Sequence, residues 1–388
     1  MPTITTDTLQ SFNVLSARLK VDMSDVIYLL EPNAAPLTVL LNRLNKNEAT
    51  NPRYEWLEDT LMPNWSNITN NAGTGTTITL GPTAGSTAHW NYVVPYTLIR
   101  VPSTGEVMLV TSVNSANGQI TVVRGYGTSS SSIDGSTTPV PVVILGPAYP
   151  EGVLGSQVST PTTLQENQYN YIQVFTKQVK VSRIADKTAT YGGKIRVTEQ
   201  QKKGIEILRD IENAFLFGVR YLDTTRNIRT TGGALFFISS NVTANVGTLT
   251  YAAVEAFLRN CFRYGRTRKF LFCSPLVMSA FSMLAESRGH IHLVPRDVAY
   301  GLSIKQWNSP HGEVMLITDV NLTGTVYGGM GILLEIEECA FRYMQDVTLE
   351  TNVQNPSDQL YIDQYVAYVG FELHNEQKHG VISGVTGV

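Results

Sequence analysis

Apolar residues recur at two different spacings along this chain, and the switches between them mark its organisation. After a polar start, Asp25-Val-Ile-Tyr-Leu-Leu30 and Ala35-Pro-Leu-Thr-Val-Leu-Leu-Asn-Arg-Leu44 are apolar stretches punctuated by Pro32 and Pro36. Each proline pushes the residue before it toward extended geometry, so the pattern predicts a short helix or turn, a bend, and then an amphipathic helix. In Arg53-Tyr-Glu-Trp-Leu-Glu58, Tyr54 and Trp56 alternate with Glu55, as in a strand with one apolar face. The stretches Thr76–Leu80, Trp90–Val94, Glu106–Val113, Gln119–Arg124 and Val140–Leu145 also read as strands, with a hairpin signal at Asn117-Gly118. Strand-like text resumes from Tyr171 to Ile184.

The spacing then lengthens. Ile205, Leu208, Ile211 (or Glu212) and Phe215 recur every three or four residues, Thr198 and Gln201 have capping-box spacing, and Gly218 can stop a helix. This predicts a long helix over about 198–217, a rod near 30 Å, with Gly204 a defect of roughly 1 kcal/mol in its body. Thr250 opens a second helix striped by Val254, Phe257, Leu258, Cys261 and Phe262, ending at Gly265. Phe270 to Cys273 reads as a buried strand, and Ser274-Pro275 starts a third helix through Glu286. With a strand at Glu313–Asp319, the stretch 251–319 resembles an α/β sandwich. The tail returns to strands at Ile332–Glu338, Asp346–Glu350, Val366–Leu373 and Gly380–Val385.

Composition sharpens this division. Between Ser66 and Pro150 the charged residues are Arg100, Glu106, Arg124 and Asp134, in text rich in Ser and Thr, so an all-β insertion is expected there. A chain of 388 residues is long enough for two or three subdomains. Its net charge of -3, with Lys and Arg scattered, does not indicate a dedicated nucleic-acid face, although the wall of a container for nucleic acid is allowed. Cys261, Cys273 and Cys339 form no Cys-x-x-Cys pair and are expected to be reduced core residues. Met1 to Ser16 lacks a basic start followed by an apolar run, and no window nears the roughly 18 apolar residues of a membrane span. No export, membrane insertion or propeptide removal is expected.

Candidate chemistry is sparse. His290 and His292, with Asp297 or His311, could ligate a metal, but the spacing gives no compact set of four, and a polar turn is expected instead. His374 and His379 with Glu376 and Lys378 imitate an acid/base cluster without a nucleophile nearby, and a charged turn is expected. Gly125-Tyr-Gly127 and Gly328-Gly-Met-Gly331 lack the Gly-Lys-Ser/Thr ending of a phosphate loop. No catalytic residue, metal or cofactor is assigned, and the chain is not expected to be an enzyme.

Three passages together resemble the major capsid proteins of tailed double-stranded DNA bacteriophages with the Hong Kong 97 fold. They are Ser24-Asp25-Val26-Ile27 through Glu31-Pro32, Ala35-Pro36-Leu37 and Glu55-Trp56-Leu57-Glu58-Asp59-Thr60-Leu61; Arg209-Asp210-Ile211-Glu212 followed by Phe215-Leu216-Phe217-Gly218; and Phe371-Glu372-Leu373-His374-Asn375-Glu376 on to Ile382. The resemblance implies an α+β Hong Kong 97-like subunit. Its parts would be an N-terminal arm (1–49), an extended loop (50–180) carrying the all-β insertion (about 66–150), a peripheral domain on the spine helix (181–248 and 331–379), and an axial domain (249–330 and 380–388). The insertion is larger than a plain extended loop needs, which suggests an extra surface or cementing module.

The function implied is that of a structural shell subunit in the virion capsid, assembled in the host cytoplasm as an icosahedral or prolate head. Its partners would be copies of itself in hexamers and pentamers, a portal, scaffold or decoration proteins, and encapsidated DNA held by weak non-specific contact. Tyr54, Trp56, Leu57 and Asp59 are the expected inter-subunit contacts. Ile205, Leu208, Ile211 and Phe215 are the expected helix core, and Lys202, Lys203 and Arg209 the expected inner-wall charges. Lys177 or Lys180 would be the loop side of the lysine–asparagine cross-link that some relatives make, but no spacing selects a partner carboxylate and no cross-link is expected. The alternatives are a nanocompartment shell protein, whose chain would be shorter, and a β-rich phage tail or receptor-binding protein, which leaves the long helix unexplained.

Overall fold

The computed structural model describes residues 35–81, 92–188, 194–287, 294–299 and 302–387. The expected short helix at 25–30 and the side chains of His290, His292 and Asp297 lie outside the described residues. The chain divides into two compact units: residues 1–54 with 169–388, and residues 55–168.

The larger unit is organised by sheets whose alternating residues face different cores. A four-stranded sheet has the order Lys46–Glu48, Cys339–Glu350, Leu360–Leu373, Gln173–Ser182. A seven-stranded mixed sheet runs Val242–Thr243, Gly380–Ile382, Gly331–Leu334, Arg268–Cys273, Gly312–Thr318, Leu302–Ser309, Val294–Ala299. In this second sheet Phe272, Met315, Ile317, Ile332 and Leu334 enter one core, shared with Leu37, Leu40, Leu41, Ile207, Ile211 and Phe215. Their neighbours Leu271, Cys273, Val314, Leu316 and Leu333 enter another, under helices Tyr251–Cys261 and Pro275–Ser287. The period of two in a strand makes this division, because successive side chains leave on opposite faces. Segments expected as arm, peripheral domain and axial domain therefore share apolar cores inside one unit.

The long helix runs from Ile195 to Phe217, beginning before the expected Thr198. Lys194 occupies the N-cap without a side-chain bond, and Thr198 Oγ1 donates to the Lys194 carbonyl, so the anticipated capping box does not form. The first turn is instead held from outside. Asp363 accepts from Arg196 Nε at 2.6 Å and from Gln200 Nε2 at 2.7 Å. At the other end Gly218 is the C-cap, as its position suggests, and a Cβ there would meet the Ala214 and Thr231 carbonyls at 2.3 and 2.4 Å. The buried stripe is Ile207, Ile211, Glu212, Phe215 and Leu216. Ile205 and Leu208 are half-buried, a correction to the expected stripe: Ile207, one helical turn before Ile211, takes the inward position.

The smaller unit contains a closed six-stranded antiparallel barrel in the order Val140–Pro147, Trp65–Ile68, Thr77–Gly81, Gln119–Val123, Val107–Asn114, Thr97–Arg100. Alternate residues fill it, among them Ile68, Ile78, Leu80, Ile99, Met108, Val110, Ile120, Val122 and Val142. Strands Trp65–Ile68 and Thr97–Arg100 carry no strong period in the sequence, and Tyr92–Val94, expected in a strand, is not one.

Candidate functional site

The sequence-selected loop residues divide by environment. Strand Arg53–Glu58 pairs with Glu166–Tyr171 in a two-stranded ribbon. Tyr54 faces inward, and its hydroxyl donates to the Phe371 carbonyl at 2.7 Å. Burial, the main cause, pushes its phenol well above the ordinary tyrosine range. Tyr54 is therefore a residue of the subunit's own core, which corrects its expected place in an inter-subunit contact. Trp56, 8% exposed, is also covered within the chain, and its Nε1 donates to Glu58 Oε1 at 2.8 Å. Leu57 is 65% exposed, and Asp59 is exposed and accepts from Thr163 Oγ1 at 3.0 Å.

The smaller unit also exposes further leucines. Leu61 is 95% and Leu164 85% exposed, and Leu154 is also exposed.

Residues expected as inner-wall charges are largely neutralised along the helix. Lys202 pairs with Glu199 at 2.9 Å and Lys203 with Glu206 at 2.7 Å. Arg209 is exposed, and Asp210 beside it pairs with Lys177 at 2.8 Å. Such surface pairs contribute little stability, roughly 0–1 kcal/mol each, but they remove most of the local field that would attract a polyanion.

Buried polar groups hold the larger unit's elements in register, and pattern reading missed them. Lys269 is fully buried, donating to the carbonyls of Cys261 at 2.7 Å, Tyr264 at 2.9 Å and Lys378 at 2.5 Å, with Glu335 at 3.5 Å. It ties the end of helix Tyr251–Cys261 to the C-terminal turn. His379, expected in a charged turn, is buried; its Nδ1 accepts from the Glu335 N–H and its Nε2 donates to the His374 carbonyl. Burial drives its pKa down to about 3, so it stays neutral. His374 lies between Glu372 at 2.6 Å and Glu338 at 3.6 Å, just before the turn Glu376–Lys378. Glu212, which the spacing offers as an alternative to Ile211, is the most informative of these buried groups, and the signal of its role is a carboxylate in an apolar stripe. Its Oε1 accepts from Leu37 N–H at 2.8 Å, and its Oε2 from Thr38 N–H and Oγ1 at 2.7 and 2.6 Å. Among the described residues no group of three or more His, Cys, Asp or Glu is arranged to hold a metal ion.

Comparison with known proteins identifies the family. The family model described as SU10 major capsid protein matches residues 2–386. The chain belongs to that family. It is a major capsid protein, a structural component of the tailed-phage head, located in the virion capsid. Solved structures agree in fold. The capsid of a native GTA particle, computed with C5 symmetry, is 8% identical, covering 95% of this chain and 96% of that one at a TM-score of 0.52. Chains of Mycobacterium phage Bobi and Mycobacterium phage Adephagia are each 10% identical and each cover 98% of this chain, with 100% and 99% of their own, both at 0.51. The fold of the capsid protein is thus Hong Kong 97-like. No curated protein matches the sequence. The family favours a phage shell over the tail-protein and nanocompartment alternatives. The capsid protein self-associates into that shell.

Proposed function

We propose that the capsid protein forms hexameric and pentameric rings that tile a closed icosahedral or prolate head around double-stranded DNA, with the smaller unit's exposed leucines covered by neighbouring copies. The observation that carries this reading is the exposure of Leu57, Leu61, Leu154 and Leu164 on the smaller unit, at 65, 95, 65 and 85%. Covering a leucine contributes about 1.5–3 kcal/mol, and a closed shell repeats that gain at every contact. Contact with DNA is proposed to be weak and non-specific, because Lys202 and Lys203 of the long helix are paired with neighbouring carboxylates. A portal, and scaffold or decoration proteins, complete the proposed partners. The role is structural throughout, with no catalytic step, cofactor or membrane. The purified chain, concentrated and viewed by negative-stain microscopy, is expected to give rings or closed shells. A strictly monomeric species at high concentration contradicts the proposal.

A further inference from the structure

Helix Pro36–Leu44 cannot cap itself. Ala35 stands at its N-cap with no side-chain acceptor, and its first N–H groups point into a buried place. Glu212 of the long helix supplies the acceptor, taking the Leu37 and Thr38 N–H groups and the Thr38 hydroxyl on its two oxygens. A negative charge there is also favoured by the helix dipole.

Asp319, directly after strand Gly312–Thr318, lies against this cap and is equally buried. Its Oδ1 accepts from the Asn321 backbone N–H at 2.8 Å and from Nδ2 at 2.9 Å. Its Oδ2 is buried with no donor among the described residues, while the Glu212 carboxyl is the side-chain group in hydrogen-bonding position. Two carboxylates in contact away from water cannot both stay ionised. One proton between them turns the repulsion into a hydrogen bond and supplies the donor that Asp319 Oδ2 lacks.

We propose that Glu212 and Asp319 share a single proton, and that losing this proton unseats the N-terminus of the arm helix. The remaining charge then faces the helix N–H groups while the proton lies between the carboxyls. The groups facing the pair are Thr38 from the arm helix, Asn321 from the loop after Thr318, and the Cys273 thiol from strand Arg268–Cys273, which burial pushes up to about 12. Among the described residues no lysine, arginine or histidine acts strongly on either carboxyl, while Lys305 acts on the facing Cys273 thiol. Burial raises both acids, and the Asp319 charge raises Glu212 further. The folded chain therefore binds the proton more tightly than the unfolded chain. Seating is fully stable below the ordinary carboxylate range and weakens as pH climbs toward the raised values. Because the arm helix leads directly into strand Lys46–Glu48 on the edge of the four-stranded sheet, the proton also governs how firmly that edge strand is held. The inference concerns the single subunit and does not depend on the mode of assembly.

Hydrogen exchange of the full-length subunit tests it, read as protection factors at Leu37 and Thr38, corrected for intrinsic exchange, from about pH 5 to about pH 9. Wild type is expected to lose about tenfold or more protection across this range. Asp319→Asn, whose amide donates to Glu212 without titrating, is expected to keep it. Glu212→Gln, which replaces an acceptor with a donor, is expected to lower protection at every pH. An infrared band of a protonated carboxyl should be present in wild type at neutral pH and disappear on alkaline titration. A flat wild-type profile, or a profile for Asp319→Asn that falls as wild type does, overturns the proposal. If either variant fails to fold, the wild-type exchange and infrared titrations decide: a flat profile without the titrating band overturns it, and a fall coincident with loss of the band supports it.

Discussion

The hydroxyl of Tyr54 and the Nδ2 of Asn170 donate to one and the same backbone carbonyl, that of Phe371, at 2.7 and 2.6 Å. Tyr54 thus fastens the start of strand Arg53–Glu58 onto the core strand Leu360–Leu373, next to Gly370. A Cβ at Gly370 would meet the Tyr54 hydroxyl at 2.6 Å and the Tyr171 carbonyl at 3.0 Å. Tyr54→Phe is expected to cost about 1 kcal/mol, since Asn170 still satisfies the carbonyl. Gly370→Ala should cost more, roughly 1–3 kcal/mol, through overpacking. Calorimetry of the single and double variants checks this: part of the alanine penalty should vanish when the hydroxyl is absent.

Two of the four charged residues between Ser66 and Pro150 form a pair inside the smaller unit. Arg124 Nε and Nη2 donate to Glu106 at 2.7 and 2.8 Å, while Glu106 also accepts from the Gly125 and Ser131 N–H groups. Burial opposes the ionised form of Glu106, but the Arg124 and backbone donors outweigh it and hold its pKa below the ordinary range. Its contribution to stability is present above the ordinary carboxylate pKa and is lost as pH falls through the lowered folded value. Glu106→Ala is expected to cost about 3–5 kcal/mol by leaving Arg124 buried and unpaired. Residues 64–148 expressed alone should give a cooperative β-rich melt that this substitution abolishes or lowers by many degrees. A non-cooperative wild-type profile would show that the barrel needs the rest of the chain.

Trp56 is covered within its own chain, which changes what its truncation should do. Trp56→Ala is expected to destabilise the free subunit by about 3–5 kcal/mol, visible as a lowered melting temperature before any assembly. An unchanged subunit melt would place the side chain in a contact between copies.

Local signals read well where one segment supplies all the physics. Thr250 caps its helix through the Ala253 N–H as its position suggests, and Val254, Phe257, Leu258 and Cys261 form the buried face. Signals failed where a distant residue did the work. The long helix starts at Ile195 because Asp363 gathers Arg196 and Gln200, a contact that Thr198 and Gln201 cannot announce. Ile207 displaces Ile205 and Leu208 from the stripe because facing side chains choose the buried phase, whereas the sequence supplies only the period. Glu212 fits the stripe by spacing as an alternative to Ile211, and the partners that make a carboxylate tolerable there lie about 175 residues away. Leu57, expected from the sequence at a contact between copies, is exposed, whereas the high exposure of Leu61, Leu154 and Leu164 has no sequence signal.

The central claim, that these leucines are assembly contacts and not subunit core, is tested most directly by paired calorimetry and light scattering on Leu61→Asp with Leu164→Asp. The free subunit is expected to melt within a few degrees of wild type, since exposed substitutions usually change stability by less than about 0.5 kcal/mol, together with loss of the scattering rise and of shells by negative stain. A large drop in subunit melting temperature, or normal shells from the doubly charged variant, would contradict it.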